Sequence, residues 1–148
     1  MEFAQLEEEC PELAKQETRQ LTVLTDDGDL PQGRYLLFEL FCVDPECDCR
    51  KVLFNVVHVE SEQLVAVVSY GWEDREYYRQ WYGHDVPKLV DDIKGPKLNE
   101  MNPQSEIGPA VLEAVEEILE DEAYVERIER HYHRYKQARA ARESGSTQ

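Results

Sequence analysis

The sequence has no long hydrophobic run and no concentration of basic residues. No apolar segment approaches the ~20 residues that a helix needs to cross a bilayer, so we expect no membrane-spanning helix. Acidic residues outnumber basic residues by 32 to 16, and the resulting net charge of -16 would repel phosphate groups. We therefore expect neither direct nucleic-acid binding nor attachment to an anionic membrane surface.

Several common catalytic motifs are also missing. The seven glycines are scattered along the chain and form no phosphate-binding loop. There is no H-E-x-x-H metalloprotease motif and no G-x-S-x-G nucleophile elbow. These absences remove the local signs of a hydrolase or a nucleotide-binding enzyme, but a catalytic site can still be assembled from distant parts of a chain.

The N-terminal sequence and the four cysteines bear on the cellular compartment. The first ten residues, MEFAQLEEEC, are acidic where a secretory signal would be basic and then apolar. We therefore expect a cytoplasmic protein, in which cellular reductants keep cysteines as free thiols. Four cysteines in such a compartment favour metal binding or thiol reactivity over disulfide bonds.

Composition divides the chain into three parts. Residues 1–33 are rich in acids. Pro11 interrupts a helical pattern in this segment, and the turn-forming segment TDDGDLPQG follows, so we predict an acidic N-terminal arm with a short helix and then a loop. A solvated charged surface explains such an arm most simply, but it could also bind a protein partner with a basic surface or mimic nucleic acid. Residues 34–142 are predicted to form a single α+β domain, and residues 143–148 a disordered tail.

Three apolar segments and two helical stripes define the predicted domain. The segments RYLLFELFCV, RKVLFNVVHV and QLVAVVSY predict a three-stranded antiparallel meander, because they are rich in β-branched and aromatic residues. Leu36, Phe38, Leu40 and Cys42 fall on one face of the first strand. Apolar residues recur at helical spacing over 111–119 and 124–135, so we predict C-terminal helices that pack on the sheet.

An aromatic segment, WEDREYYRQWYG, occupies residues 72–83. It predicts a short helix, since acids begin it and Gly83 ends it. Tyr78, Trp81 and Tyr82 recur at helical spacing, which favours packing of this helix against the sheet. The alternative is a surface that stacks a base, a sugar or a proline-rich peptide.

The segment FCVDPECDCRKV, residues 41–52, places three cysteines close together. Asp44 and Pro45 predict a turn, so Cys42 and Cys49 should flank a hairpin loop that contains Cys47. Three thiolates at the end of a hairpin can converge on one ion, and Zn²⁺ accepts thiolate and imidazole ligands in a tetrahedron. Cu(I) is an alternative ion, and buried thiols without a metal are an alternative role. A redox pair usually has the spacing C-x-x-C, which is not present here.

A closed structural zinc site needs a fourth ligand. We predict His131 in this role, because it lies on the inward stripe of the last helix. An inward histidine is also common as a hydrogen-bonded core residue. Other possible fourth ligands are Cys10, His84, Asp44 and Asp48.

These observations favour a small zinc-binding protein whose metal site is structural and which acts as a binding or interaction module. The first alternative is a metal-dependent hydrolytic enzyme, in which an open zinc site with Cys42, Cys47 and Cys49 activates water. The second is an acidic protein whose N-terminal arm binds a partner. The sequence favours the structural site because it shows no evident general base beside the cysteines.

Three segments, CVDPECDCR, IKGPKLNEMNPQSE and YVERIERHY, resemble an uncharacterised family of prokaryotic proteins. The resemblance covers roughly residues 35–136, and the three-cysteine hairpin is its most specific part. It implies that the cysteine loop and the C-terminal helices belong to one unit, and it brings no established activity. The acidic N-terminal segment with Cys10 lies outside the resemblance.

Overall fold

The computed structural model describes residues 2–26, 28–102 and 104–145. Its strands are β1 (Phe3–Gln5), β2 (Arg19–Val23), β3 (Gly33–Cys42), β4 (Lys51–His58), β5 (Gln63–Gly71) and β6 (Lys97–Leu98). Its helices are α1 (Leu6–Glu9), α2 (Pro11–Glu17), α3 (Arg75–Tyr82), α4 (Pro87–Lys94), α5 (Gly108–Ile118) and α6 (Glu122–Gly145). The predicted α+β class is confirmed.

All six strands belong to one antiparallel sheet. Its order is β1, β3, β4, β5 and β6, and β2 also pairs with β3. Strand β1 pairs with the end of β3 and β2 with its beginning, so both extend the same side of the sheet. The predicted three-stranded meander is confirmed as the centre of this sheet, in β3, β4 and β5.

The N-terminal segment differs from the predicted short helix and loop. It forms β1, α1, α2 and β2, and Leu6 is buried in the core. Leu21 and Val23 of β2 also pack against the core. Strands β1 and β2 form because they pair with β3. Such pairing between distant segments cannot be predicted from local composition.

The core lies between one face of the sheet and the helices α5 and α6. The sheet contributes the buried residues Tyr35, Leu37, Phe41, Val52, Phe54, Val56, Ala66 and Val68. The helices contribute Val111, Val115, Ile118, Tyr124, Ile128, Tyr132 and Tyr135. Both faces of β3 are apolar, and the row that contains Leu36, Phe38 and Leu40 lies on the face away from these helices, where it is half-buried.

Helix α3 has the predicted ends. The Asp74 side chain accepts a hydrogen bond of 2.9 Å from the backbone N–H of Tyr77, and Gly83 follows the helix with a φ of +85°. Tyr78 is fully buried, which confirms its predicted packing. Trp81 and Tyr82 were expected to pack as well, but they are 37% and 38% exposed. Both lie in the last turn of α3, beside a surface groove.

The C-terminal third forms two helices that are separated by residues 119–121. Pro109 lies in the first turn of α5, where its missing N–H leaves no bond unmade. The tail that was predicted to be disordered from residue 143 is helical as far as Gly145, and residues 146–148 lie outside the described residues. Within the described residues, no helix combines the length and the apolar character needed to cross a bilayer.

Candidate metal centre

Three cysteine side chains meet at the turn between β3 and β4. The Sγ atoms of Cys42, Cys47 and Cys49 all lie within 4.8 Å of one another. Cys42 ends β3, Cys47 lies in the loop, and Cys49 lies two residues before β4, as the hairpin prediction requires. Cys42 and Cys49 are fully buried, and Cys47 is partly exposed. Such a cluster could hold a metal ion.

The loop reverses direction through a turn that begins at Asp44. The backbone N–H of Glu46 donates to Asp44 Oδ1 at 2.9 Å, and the N–H of Cys47 donates to the Asp44 carbonyl at 3.1 Å. These bonds bring Cys47 back toward the end of β3. Arg50 then adopts a φ of +49°, which is uncommon for a residue with a side chain, and the chain enters β4.

Helix α6 holds one side of this loop through two side chains that are one turn apart. The Tyr132 hydroxyl lies 3.3 Å from the Cys47 carbonyl oxygen and 3.0 Å from Asp48 Oδ1, so it can donate to either. Lys136 Nζ donates to the carbonyl oxygens of Cys42 at 2.9 Å and Asp44 at 2.6 Å. The helix therefore binds the loop backbone at both ends of the cysteine cluster.

Helix α3 holds the other side of the loop. The Tyr78 hydroxyl donates to the Arg50 carbonyl at 2.7 Å, and the Tyr77 hydroxyl donates to the Asp48 carbonyl. Gly71 makes room for the Tyr78 ring, because a Cβ atom at residue 71 would overlap with the Tyr78 hydroxyl oxygen. The sequence showed these tyrosines as an aromatic segment, but it did not show that they bind the cysteine loop.

The thiols of Cys47 and Cys49 resist ionisation when no cation is present. Burial raises the pKa of Cys49 to about 12, and the neighbouring Cys47 and Cys42 add to this rise, whereas the charge of Lys136 opposes it. Burial also raises the pKa of Cys47, with Cys42 as the next cause. A bound cation reverses this preference, since thiolates are its ligands and their protons leave when it binds.

The spacing of the three sulfurs suits a tetrahedral thiolate site. With metal–sulfur bonds of about 2.3 Å, two thiolates on a tetrahedral zinc ion lie about 3.8 Å apart. The separations here reach 4.8 Å, so the sulfurs need to approach by no more than about an ångström to share one ion.

His131 does not join this cluster. Its Nδ1 lies 2.7 Å from Glu39 Oε1, and its Nε2 lies 3.0 Å from Glu17 Oε1. Both ring nitrogens therefore face carboxylates, and neither is free to bind a metal. The inward orientation of His131 agrees with the sequence, but its contacts contradict the prediction that it is the fourth ligand.

The other predicted alternatives also lie outside the cluster. Cys10 joins α1 to α2, and His84 is exposed beside the Tyr82 ring at 5.4 Å. Asp44 and Asp48 belong to the loop, but their carboxylates accept hydrogen bonds from the loop backbone or from Tyr132 and an arginine. Among the described residues, the candidate site therefore consists of three cysteine ligands.

A second buried polar group links α2, β3 and α6. The side chains of His131 and Glu39 are 1% and 2% exposed, and Glu17 also lies near Arg127 at 3.8 Å and Arg130 at 3.9 Å. Burial alone would lower the pKa of His131, but its contacts with Glu39 and then Glu17 raise it. Burial raises the pKa of Glu39, and the hydrogen bond to His131 lowers the pKa of Glu17. The sequence feature that could have indicated this buried group is Glu39, the single acid within the apolar segment RYLLFELFCV.

The buried pair predicts a pH dependence of stability. A raised folded-state pKa of His131 means that its stabilisation is complete below about pH 6.5 and is lost as pH rises through the folded-state value. The raised pKa of Glu39 acts in the same direction. We expect the free energy of unfolding to fall as pH rises above about 6.5, as measured by urea denaturation.

The matched control is the double variant Glu39→Leu, His131→Leu, which removes both groups and keeps every other titrating residue. Its free energy of unfolding should vary less with pH than that of the unaltered protein over the same range. Equal pH profiles for the two proteins would contradict the assignment of this dependence to the buried pair.

No family model, curated protein or solved structure matches the chain. The resemblance to a prokaryotic family stays a prediction, and the chemistry of the cysteine cluster is the basis for a functional conclusion.

Proposed function

We propose that this is a zinc-binding protein in which Cys42, Cys47 and Cys49 hold one Zn²⁺ as a structural site. The observation that carries this proposal is the convergence of three sulfurs from separate parts of one hairpin, two of them buried. Zinc is the preferred ion because its coordination sphere accepts thiolates in a tetrahedron. In a reducing compartment such as the cytoplasm, the thiols stay available for the ion.

The charges around the cluster support a cysteine-bound zinc ion. Three thiolates and one Zn²⁺ carry a formal charge of about -1, which a nearby cation stabilises. Lys136 is nine-tenths buried, and its positive charge favours the ionised form of Cys49. The Lys136 ammonium therefore compensates the excess negative charge of the proposed complex.

The metal would join the two strands of the hairpin to the helices around it. Thiolate bonds would connect the end of β3 with the start of β4, and Tyr132, Lys136, Tyr77 and Tyr78 already bind the loop between them. Binding free energy at such a site contributes directly to the stability of the fold. The role that follows is a stable platform for binding, with no catalytic step at the metal.

Hydrolysis at the zinc ion is less well supported. Three thiolates leave little positive charge on the ion to lower the pKa of a bound water. Asp48 is an acid of the loop that could act as a base, but hydrogen bonds from Arg50 and then Tyr132 hold its pKa below the usual value. A carboxylate of such low basicity is a poor general base.

Metal content and metal removal test the proposal. Full-length protein purified with a reductant should contain about one zinc ion per chain by elemental analysis. A strong chelator should lower the melting temperature by roughly 10 °C, and added Zn²⁺ should restore it. Protein that is free of zinc and melts at the same temperature with and without chelator would refute the structural role.

Co²⁺ substitution tests the coordination itself. Three thiolates and one further ligand should give the strong visible absorption of tetrahedral Co²⁺ and thiolate-to-metal bands in the near ultraviolet. A weak octahedral spectrum would contradict the proposed ligand set.

A further inference from the structure

A groove of about 780 Å³ lies on the side of the sheet away from α5 and α6. Val52, Phe54 and Val56 of β4 face those helices, so the alternate residues Lys51, Leu53 and Asn55 face the groove. Across the sheet, Leu53 lies opposite Leu40 and Ser69, while Asn55 lies opposite Val67, and all three partners line the floor. The volume is within the range of about 300–1,000 Å³ that is typical of small-molecule sites.

Exposed apolar side chains concentrate around this groove. Of the seven large hydrophobic residues that are exposed in the described part of the chain, four line it. They are Leu64, Trp81, Tyr82 and Met101, and Met101 is 90% exposed. Clustered apolar exposure of this kind marks a binding surface more often than chance exposure does.

The groove differs in charge from most of the protein surface, and two acids, Asp92 and Glu100, line the adjoining pocket that shares Lys51 with it. The chain has 32 acids, yet the described residues that line the groove include no acid, and Lys51 is their single ionised side chain. Within the described residues, the Lys51 ammonium makes neither a hydrogen bond nor an ion pair with another side chain. The neighbouring Lys97, by contrast, pairs with Asp92 at 3.4 Å and with Glu100 at 3.6 Å.

We propose that this groove binds a small organic anion with an apolar body and one carboxylate. The body would lie on Leu40 and Leu53 beside the Trp81 ring, and the carboxylate would pair with Lys51. The side-chain amide of Asn55 makes no hydrogen bond in the described structure and would bind a polar atom of the ligand. An apolar wall with a few polar groups that fix orientation is the usual composition of such sites.

A second copy of the chain fits the groove less well. A symmetric dimer places the same surface on itself, so it would bring the two Lys51 side chains toward each other. Each subunit also carries a net charge of -16, which opposes association. A small anion can pair with Lys51, and its binding involves neither the repulsion between two lysines nor the repulsion between two acidic subunits.

A matched pair of probes tests the proposal on the full-length zinc-loaded protein. The anion 1-naphthylacetate and its uncharged analogue 1-naphthylacetamide have the same apolar body, and calorimetric titration measures the Kd of each. We expect the anion to bind at least about tenfold more tightly than the amide. Lys51→Gln should abolish this preference, Lys51→Arg should retain it, and Leu53→Ala should weaken both probes by about tenfold.

Lys88→Gln is the control variant, because Lys88 is exposed on α4, outside the groove, and its loss changes the net charge equally. It should retain the preference for the anion. Absence of binding below about 1 mM for both probes would overturn the proposal, as would a preference that survives in Lys51→Gln. Loss of zinc from Lys51→Gln would also overturn it, because Lys51 would then serve the metal site. A dimer that Leu53→Ala disrupts would show that a second copy occupies the groove.

Discussion

Replacing Cys49 by alanine is expected to abolish zinc binding and to lower the free energy of unfolding by about 4 kcal/mol, if free zinc is about 1,000 times its Kd. The physical reason is that the folded hairpin gathers the three sulfurs and the unfolded chain does not, so zinc stabilises only the folded state. Urea denaturation with and without zinc measures the difference, and elemental analysis measures the bound metal.

Two comparisons separate the effect of zinc from the effect of an altered core. In the presence of chelator, the free energies of unfolding of the Cys49→Ala variant and the unaltered protein should differ by about 1 kcal/mol or less. Without zinc, the variant lacks only one sulfur atom of a small buried side chain. Cys10→Ala should keep its zinc and the stabilisation that zinc supplies, since Cys10 lies outside the cluster. A variant that keeps one zinc ion per chain after loss of the Cys49 thiol would contradict the proposed ligand set.

The three-cysteine cluster could be predicted because its members are close in sequence. Cys42, Cys47 and Cys49 lie within one hairpin, and a turn at Asp44 is sufficient to bring them together. A fourth ligand from another element depends on how that element packs, and sequence spacing carries no such information. His131 shows the difference, since it faces inward as its helical position predicts but meets Glu39 and Glu17 instead of the thiols.

The central sheet could be predicted for a similar reason. Strands β3, β4 and β5 are long, apolar and joined by short connections, so local composition determines both their structure and their pairing. Strands β1 and β6 contain three and two residues, which is too few for a periodic pattern. Because both faces of β3 carry apolar residues, the sequence alone does not show which face the helices cover.

Helix α6 connects the two polar centres of the protein. His131 and Tyr132 are adjacent residues, yet the first binds Glu39 on β3 and the second binds the cysteine loop. Lys136, one turn later, binds the same loop through two carbonyl groups. A displacement of this helix should therefore disturb the cysteine cluster as well as the buried pair of His131 and Glu39, even though His131 touches none of the cysteines.

Replacing His131 by leucine is expected to lower the free energy of unfolding by about 3–5 kcal/mol at neutral pH. The leucine would leave the Glu39 carboxylate, which is 2% exposed, without its hydrogen-bond partner in the core. Urea denaturation at constant zinc concentration measures this loss. His133→Leu is the matched control, because His133 lies two residues further along α6 on its exposed side and should change stability by about 0.5 kcal/mol or less.

The double variant Glu39→Leu, His131→Leu decides whether the unpaired carboxylate is the cause. It removes the buried charge together with its partner, so it should be more stable than His131→Leu alone by about 2 kcal/mol or more. A double variant that is less stable than the single one would show that packing of the imidazole ring, and not its pairing with Glu39, holds α6 on the sheet. In that case the pH dependence predicted for the pair should also disappear, because both effects require the same ionised contact between β3 and α6.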